Sequence, residues 1–124
     1  SEVKPDRITK SVAAEHTFDT NLSSEIFMLE QLEKIATSLE RRLKKQNIAG
    51  KTVTLKIKYS DFSQQTRSKT VPYFIADKGL ILENVKELLY QERMKDSVRL
   101  LGISLSNLNT EQKKTVVVQL QFAF

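Results

Sequence analysis

Hydroxyl and ammonium side chains recur at alternate positions in the segment TVTLKIKY, which spans residues 52–59. Successive side chains of a β-strand point to opposite faces, so Thr54, Lys56 and Lys58 are predicted to share one face. Hydroxyl and ammonium groups both donate hydrogen bonds to phosphate oxygens. The pattern therefore predicts a polar strand surface whose donors suit a phosphate backbone.

Three further segments with strand-like alternation, at residues 10–18, 65–74 and 98–108, extend this surface. The combined polar face, which is predicted to have no large apolar residue, carries Ser11, Thr17, Thr54, Lys56, Lys58, Thr66, Ser68, Thr70, Ser104 and Ser106. Additional cationic donors are expected to frame it, namely Arg67, Lys69 and Arg99. A one-sided sheet also meets water with alternating polar residues, so the pattern alone leaves phosphate binding and simple solvation open.

No enzyme motif accompanies these donors. The sequence has no Gly-rich phosphate loop, no HExxH motif and no nucleophile elbow. Its single histidine, His16, falls on the inward parity of the first strand, and a metal site needs several clustered donors. The absence of cysteine excludes disulfides and thiolate metal sites. These observations favour a binding module over a catalyst, with no cofactor of its own.

The last six residues form an unusual apolar end, Gln119, Leu120, Gln121, Phe122, Ala123 and Phe124. A glutamine ahead of alternating apolar residues suits a peptide that docks in an extended groove, with the amide fixing one end. The three valines that precede this segment are strand formers, so a fifth strand is the alternative. The residues alone leave both interpretations open.

Two amphipathic helices are predicted between the strands. The first covers about residues 24–47 and ends before Gly50, and its apolar positions are Ile26, Leu29, Leu32, Ile35, Ala36, Leu39 and Leu43. The second covers about residues 80–95, and Pro72 marks the end of the third strand or a bulge in it. The order predicts an α+β fold, βαββαβ, with both helices on one face of a four-stranded antiparallel sheet and the other face open.

The length and composition suit one domain with a tail at each end. The chain has 124 residues, of which 40% are hydrophobic, and carries a net charge of +5. Residues 1–9 are interpreted as a linker, residues 10–108 as the domain, and residues 109–124 as a flexible tail. No apolar run approaches the roughly 20 residues of a membrane span, and the polar N-terminus does not resemble a signal peptide, so no membrane partner is expected.

Three segments together resemble the little-finger domain of Y-family translesion DNA polymerases, above all its bacterial members: KSVAAEHTF at residues 10–18, VTLKIKYSDFSQQTRSKTVP at 53–72 and VRLLGISLSNL at 98–108. The likeness covers residues 7–108 in the right order. Ala13 departs from the glycine usual in that family, and Leu100 and Ser104 are uncharged where some relatives carry basic side chains.

The resemblance implies a domain that grips the phosphates of a primer-template duplex. The DNA-binding residues it implies are Lys10, Ser11, Lys56, Lys58, Thr66, Arg67, Ser68, Lys69, Thr70, Arg99 and Ser104. It further implies that residues 119–124 bind the sliding clamp, and that magnesium and catalysis belong to a polymerase core outside this sequence. A bacterial, cytoplasmic and nucleoid-associated protein is expected. The alternative function is a stand-alone protein-interaction domain.

Overall fold

The computed structural model describes residues 10–110. In chain order the elements are β1 (Ser11–Leu22), α1 (Glu25–Gln46), β2 (Gly50–Tyr59), β3 (Gln64–Ile75), α2 (Lys78–Leu89) and β4 (Val98–Leu108). The strands form a four-stranded sheet in the order β1-β4-β2-β3, and every neighbouring pair is antiparallel. The predicted βαββαβ order and antiparallel sheet are thus confirmed.

The core lies between one face of this sheet and the two helices. Alternation along β2 sends Val53, Leu55, Ile57 and Tyr59 into the core, where each is at most 1% exposed. The helices bury a matching apolar stripe from the other side, which includes Leu32 of α1. Because both helices pack on the same side, the opposite face of the sheet is left without a covering element among the described residues.

Helix α1 has its predicted bounds to within one residue at each end, but its buried face differs from the prediction near the N-terminus. Ile26 was predicted to be a core residue, but it is 71% exposed, and Met28 is buried instead. The helix stops at Asn47 in the left-handed conformation (φ 57°), and the Asn47 N–H bonds the carbonyl of Leu43. Gly50 is the first residue of β2, where a Cβ would lie 2.7 Å from the Ser106 carbonyl oxygen, so the absence of a side chain allows the two strands to approach.

Helix α2 is shorter than predicted, because it ends at Leu89. Its first turn is capped by the Asp77 carboxylate, which accepts from the backbone N–H of Leu80 at 3.2 Å. The Glu40 side chain of α1 accepts from the backbone N–H of Lys78 at 2.9 Å, and this hydrogen bond lowers the pKa of the Glu40 carboxyl. The two helices are therefore joined by a polar contact at the point where α2 begins.

The edge strand β3 contains the interruption that its proline predicts. Thr70 faces Thr52 and Ile75 faces Gly50, so the β2–β3 register shifts across the segment that holds Pro72. Proline has no N–H to give to the ladder, and an edge strand tolerates that loss because one side of it is unpaired. Of the two predicted alternatives, the strand does not end at Pro72 but runs on to Ile75 past an irregularity in its pairing.

Candidate nucleic-acid interface

The uncovered side of the sheet is an ordered array of short polar side chains. Strand register aligns them in rows that run across all the strands in the order β1, β4, β2, β3: Ser11–Ser106–Thr52–Thr70, Ala13–Ser104–Thr54–Ser68, Glu15–Gly102–Lys56–Thr66 and Thr17–Leu100–Lys58–Gln64. We call this set of residues the open face. Neighbouring strands are about 4.8 Å apart, so each row presents closely spaced donors and acceptors.

Two of these rows consist almost wholly of hydroxyl groups. The Thr52 and Thr70 hydroxyls lie 2.9 Å apart, and the Thr54 and Ser68 hydroxyls are also 2.9 Å apart. A hydroxyl that shares one proton with its neighbour keeps lone pairs and a rotatable O–H for an outside partner. This half of the open face can exchange hydrogen bonds with phosphate oxygens without carrying any charge.

The charged half of the open face holds Lys56 and Lys58 on β2 and Glu15 on β1. Lys56 Nζ and Glu15 Oε1 form an ion pair at 3.2 Å across strand β4. Strand alternation alone would have placed Glu15 on the polar side, yet the predicted set of binding residues omitted it. The open face is therefore less cationic than its lysines suggest.

A shallow recess of about 230 Å³ lies in the middle of the open face. Its floor is Gly102, which has no side chain, and its polar walls include Thr54, Lys56, Thr66 and Ser104. Such a recess allows a bound group to approach the backbone of the sheet. Thr66 and Ser104 therefore lie where the predicted binding face placed them, although a contact with DNA remains a prediction.

Leu100 corrects the expectation that the open face has no large apolar residue. It pairs with Thr17 and Lys58 in a row of the open face, so its position belongs to that side of the sheet. Its side chain is nevertheless only 7% exposed. Leu100 therefore adds little apolar area to the exposed surface of this side of the sheet.

Arg67 does not frame the open face, and that prediction is wrong. It pairs with the core residue Leu55 and is only 4% exposed. Its Nη1 donates to the carbonyl oxygens of Leu88 at 2.8 Å and Leu89 at 3.0 Å, which are the last residues of α2. A cation at this point satisfies orphan carbonyls and the negative end of the helix dipole. The role of Arg67 is therefore structural.

Lys69 lies elsewhere than predicted, whereas Arg99 lies beside the Lys58 end of the open face. Lys69 pairs with Val53 on the covered side and forms an ion pair with Glu87 of α2. Arg99 occupies an irregularity in the β2–β4 pairing, and its guanidinium lies 4.8 Å from the ring centroid of Phe62. Neither residue belongs to a row of the open face.

Phe62 itself sits in the turn between β2 and β3. Its φ is 70°, a conformation that few bulky residues adopt, and its side chain is 63% exposed. The neighbouring Asp61 carboxylate accepts from the backbone and hydroxyl of Ser63, and these bonds lower the pKa of Asp61. The turn is therefore held by its own polar residues at the Lys58 end of the open face.

The remaining predicted site residues fall at or beyond the edge of the described chain. Lys10 is exposed and directly precedes β1, and Ser11 is exposed at the start of that strand. The predicted clamp-binding residues Gln119 to Phe124, the linker at residues 1–9 and most of the predicted tail lie outside the described residues.

Residues 10–110 do not assemble a metal centre. Across that range no three His, Cys, Asp or Glu side chains are grouped so that they could hold an ion. The described residues therefore do not fit the magnesium chemistry that the resemblance assigns to a polymerase core. The helices within the same range are also too short or too polar to cross a bilayer.

The open-faced βαββαβ sheet places the chain in a class of α+β domains with both helices on one face of an antiparallel sheet. Comparison with known families identifies which family of that class it is. Residues 9–122 match the impB/mucB/samB family C-terminal domain. The chain belongs to this family, the little-finger domain of Y-family DNA polymerases.

Curated relatives that resemble the chain are DNA polymerases IV. The enzyme of Leptospira interrogans is 44% identical over 119 residues, which are 90% of this chain and 33% of the relative. DNA polymerase IV 2 of Agrobacterium fabrum is 42% identical over 115 residues, or 90% of this chain and 32% of the relative. The chain thus spans about a third of the length of these relatives.

Solved structures agree on the fold. The chain resembles one described as a complex of the beta-clamp processivity factor and the little finger domain of PolIV, with a TM-score of 0.65 and 22% identity over 77% of this chain and 86% of that one. It also resembles a Dbh ternary complex, with a TM-score of 0.68 and 18% identity over 78% of this chain and 29% of that one. At these identities the likeness is one of fold.

Proposed function

We propose that the chain is the duplex-binding part of a translesion DNA polymerase and that its open face lies along the phosphates of a primer-template. The observation that carries the proposal is the uncovered array of hydroxyls with Lys56 and Lys58 in adjacent rows. These groups donate to phosphate oxygens, whereas the described face has no evident set of side chains for reading base edges. Binding should therefore tolerate any sequence.

The geometry also supports a grip of moderate strength. Glu15 neutralises part of the charge, and Arg67 and Lys69 are engaged on the covered side. Few cations are left to release counterions, so the dependence on salt should be shallower than for a strongly basic DNA-binding protein. A weak, sequence-tolerant grip suits a domain that must slide with a moving enzyme.

The test is a titration of fluorescent duplex and primer-template DNA with this chain at low and moderate salt. Binding should weaken as salt rises and should not depend on the sequence of the duplex. Absence of binding, or equal binding at both salt concentrations, would contradict the proposal. Absence of binding would favour the alternative, a stand-alone protein-interaction domain.

We extend the proposal to residues 119–124 as a peptide that docks on the sliding clamp. A structural neighbour is described as a little finger in complex with a clamp, which supports the choice of partner. Truncation after Val118 should abolish clamp binding, measured by surface plasmon resonance, and leave DNA affinity and unfolding unchanged. Loss of folding in the truncated chain would instead support the fifth-strand alternative.

The rest of the proposal concerns the polymerase as a whole. The relatives are DNA polymerases, so nucleotidyl transfer with magnesium would be the work of a catalytic core that this domain contacts, in the cytoplasm and at the nucleoid of a bacterium. The described residues assemble no such metal site, and the chain alone should not extend a primer. Magnesium-dependent primer extension by the pure chain would overturn that part of the proposal.

A further inference from the structure

One ion pair on the open face spans two strand spacings. Glu15 on β1 and Lys56 on β2 both face Gly102, the residue of β4 that lies between them. Their charged atoms nevertheless meet at 3.2 Å. Side chains normally contact a partner on the adjacent strand, so a pair that crosses an intervening strand needs a gap in the surface.

Gly102 provides that gap. A Cβ at this position would lie 3.0 Å from Glu15 Cβ and 3.5 Å from Glu15 Oε1. Even the smallest side chain would thus crowd the glutamate that leans over the glycine. The Glu15 carboxylate is held above the floor of the recess because nothing rises from that floor.

The same recess is lined by residues with groups that can bind an anion. Three of the residues that line it, Thr54, Thr66 and Ser104, carry hydroxyl groups, and a fourth, Lys56, carries an ammonium group. A phosphate oxygen at this point would find one cation and several hydroxyl donors, the set of partners that phosphates receive in protein–DNA complexes. In the structure, the anion that pairs with Lys56 is the carboxylate of Glu15.

We propose that the recess over Gly102 is a backbone-phosphate site and that Glu15 is its built-in competitor. The inference rests on the proposed function, because it assumes that duplex DNA lies on the open face. In the free chain the Glu15 carboxylate pairs with Lys56 and competes with weakly bound anions for it. When DNA docks, a phosphate takes Lys56, and Glu15 swings into solvent, where half of its side chain is already exposed.

This arrangement sets the strength of the grip. Every phosphate that enters the recess must first displace a carboxylate and then tolerate its negative charge nearby. The cost is small, because an exposed ion pair contributes little. This cost nevertheless applies each time DNA binds, so Glu15 lowers the affinity of the chain for DNA.

The experiment compares Glu15→Gln with the unmodified chain in a duplex titration at fixed low salt, followed by fluorescence anisotropy. The substitution should raise affinity by about two- to fivefold, which is the range that an exposed pair of this kind represents. The slope of log affinity against log salt should become steeper by no more than about one. At most one further lysine, Lys56, becomes free to displace a counterion from the DNA.

A matched control is Glu87→Gln. Glu87 also forms an exposed ion pair, with Lys69, but on the covered side of the sheet. Both substitutions raise the net charge by the same amount, so any difference between them is local to the recess. The Glu87→Gln variant should bind DNA like the unmodified chain, and an equal gain in both variants would overturn the inference.

A second pair of variants tests whether the effect of Glu15→Gln depends on Lys56. In a Lys56→Ala background, Glu15→Gln should lose most of its effect, and a gain that persists in full would contradict the proposed competition. If the unmodified chain binds duplex normally and Glu15→Gln changes nothing, the inference fails while the proposed function stands. If the unmodified chain does not bind duplex at all, both fail together.

Discussion

The two faces of the sheet use the same residue types for different purposes. On the covered face, Arg67 is buried and caps the last carbonyls of α2. On the open face, Lys56 and Lys58 lie on the side of β2 opposite to its core residues, and Lys56 pairs with the exposed carboxylate of Glu15. The difference shows that a basic residue in this strand pair acquires its role from strand parity rather than from its charge.

This division separates folding from binding. Side chains on the covered face pack against the helices, so changing them should change stability. Side chains on the open face pack against nothing above them, so changing them should alter only what the face binds. Substitutions on the two faces test whether stability and DNA affinity change independently.

The largest expected effect is that of Arg67→Ala. Removing the guanidinium takes a donor from the carbonyl oxygens of Leu88 and Leu89 in a buried place. The Leu88 carbonyl keeps the Gln91 N–H at 3.3 Å, whereas an acceptor left without any donor costs about 1–3 kcal/mol, and the packing of a buried side chain is lost as well. Urea unfolding should show a loss of about 2–4 kcal/mol in all. DNA affinity, measured where the variant is folded, should not change. A stable variant with reduced DNA affinity would place Arg67 at the interface after all.

The next effect is that of Lys56→Ala combined with Lys58→Ala. Loss of two cations from the open face should lower duplex affinity about tenfold at low salt and reduce the salt slope by up to about two. The free energy of unfolding should stay within about 0.5 kcal/mol of the parent, because both residues are on the surface. Lys69→Ala, on the covered side, is the control and should leave the salt slope unchanged.

A smaller effect is expected from Thr54→Val combined with Ser68→Ala. The two hydroxyls bond each other at 2.9 Å and carry no charge, so their loss should lower DNA affinity about two- to threefold without altering the salt slope. Thr37→Ala removes a hydroxyl from α1, where it bonds the Glu33 carbonyl, and should have no effect on DNA binding. A change of slope in the open-face variant would mean that charge, not hydroxyl donation, had been disturbed.

The smallest effect concerns acid sensitivity on the covered side. The backbone N–H of Lys78 lowers the pKa of Glu40 from its ordinary value of 4.5, so the ionised carboxylate favours the folded state. That contribution is complete above the ordinary pKa and is lost as pH falls through the lowered one. Glu40→Gln should therefore be less stable than the parent at neutral pH by an amount that shrinks in acid. Urea unfolding at pH 7 and pH 3 would show a constant difference if this is wrong.

Strand alternation allowed much of the fold to be predicted. β4 has the predicted bounds, and β2 turns the predicted residues inward, because period-two patterning in a one-sided sheet determines the face of every position. The same rule predicts that Arg67 faces the core, because it lies four residues before the core residue Val71 and therefore on the same side of β3. The prediction failed there because positive charge was taken as a sign of exposure.

Other features depend on contacts that local sequence does not encode. The irregularity at Arg99 follows from how β4 pairs with β2, and no pattern within β4 announces it. The exposure of Ile26 reflects where α1 begins to pack on the sheet, since its spacing alone suits the core. Alternation places Glu15 on the polar side of β1, but its ion pair with Lys56 could not be predicted, because Lys56 lies on a strand far along the chain.

The pairing of Ser11 with Ser106 has a consequence for how this fold can be joined to other proteins. These residues stand near the beginning and the end of the described sheet, and paired residues on antiparallel strands are only about 5 Å apart. Entry and exit of the chain are therefore neighbours, as they are in a hairpin. A unit of this kind can be spliced into a surface loop of a host protein, or circularly permuted by bridging its ends, without stretching either strand and without covering the polar side of the sheet.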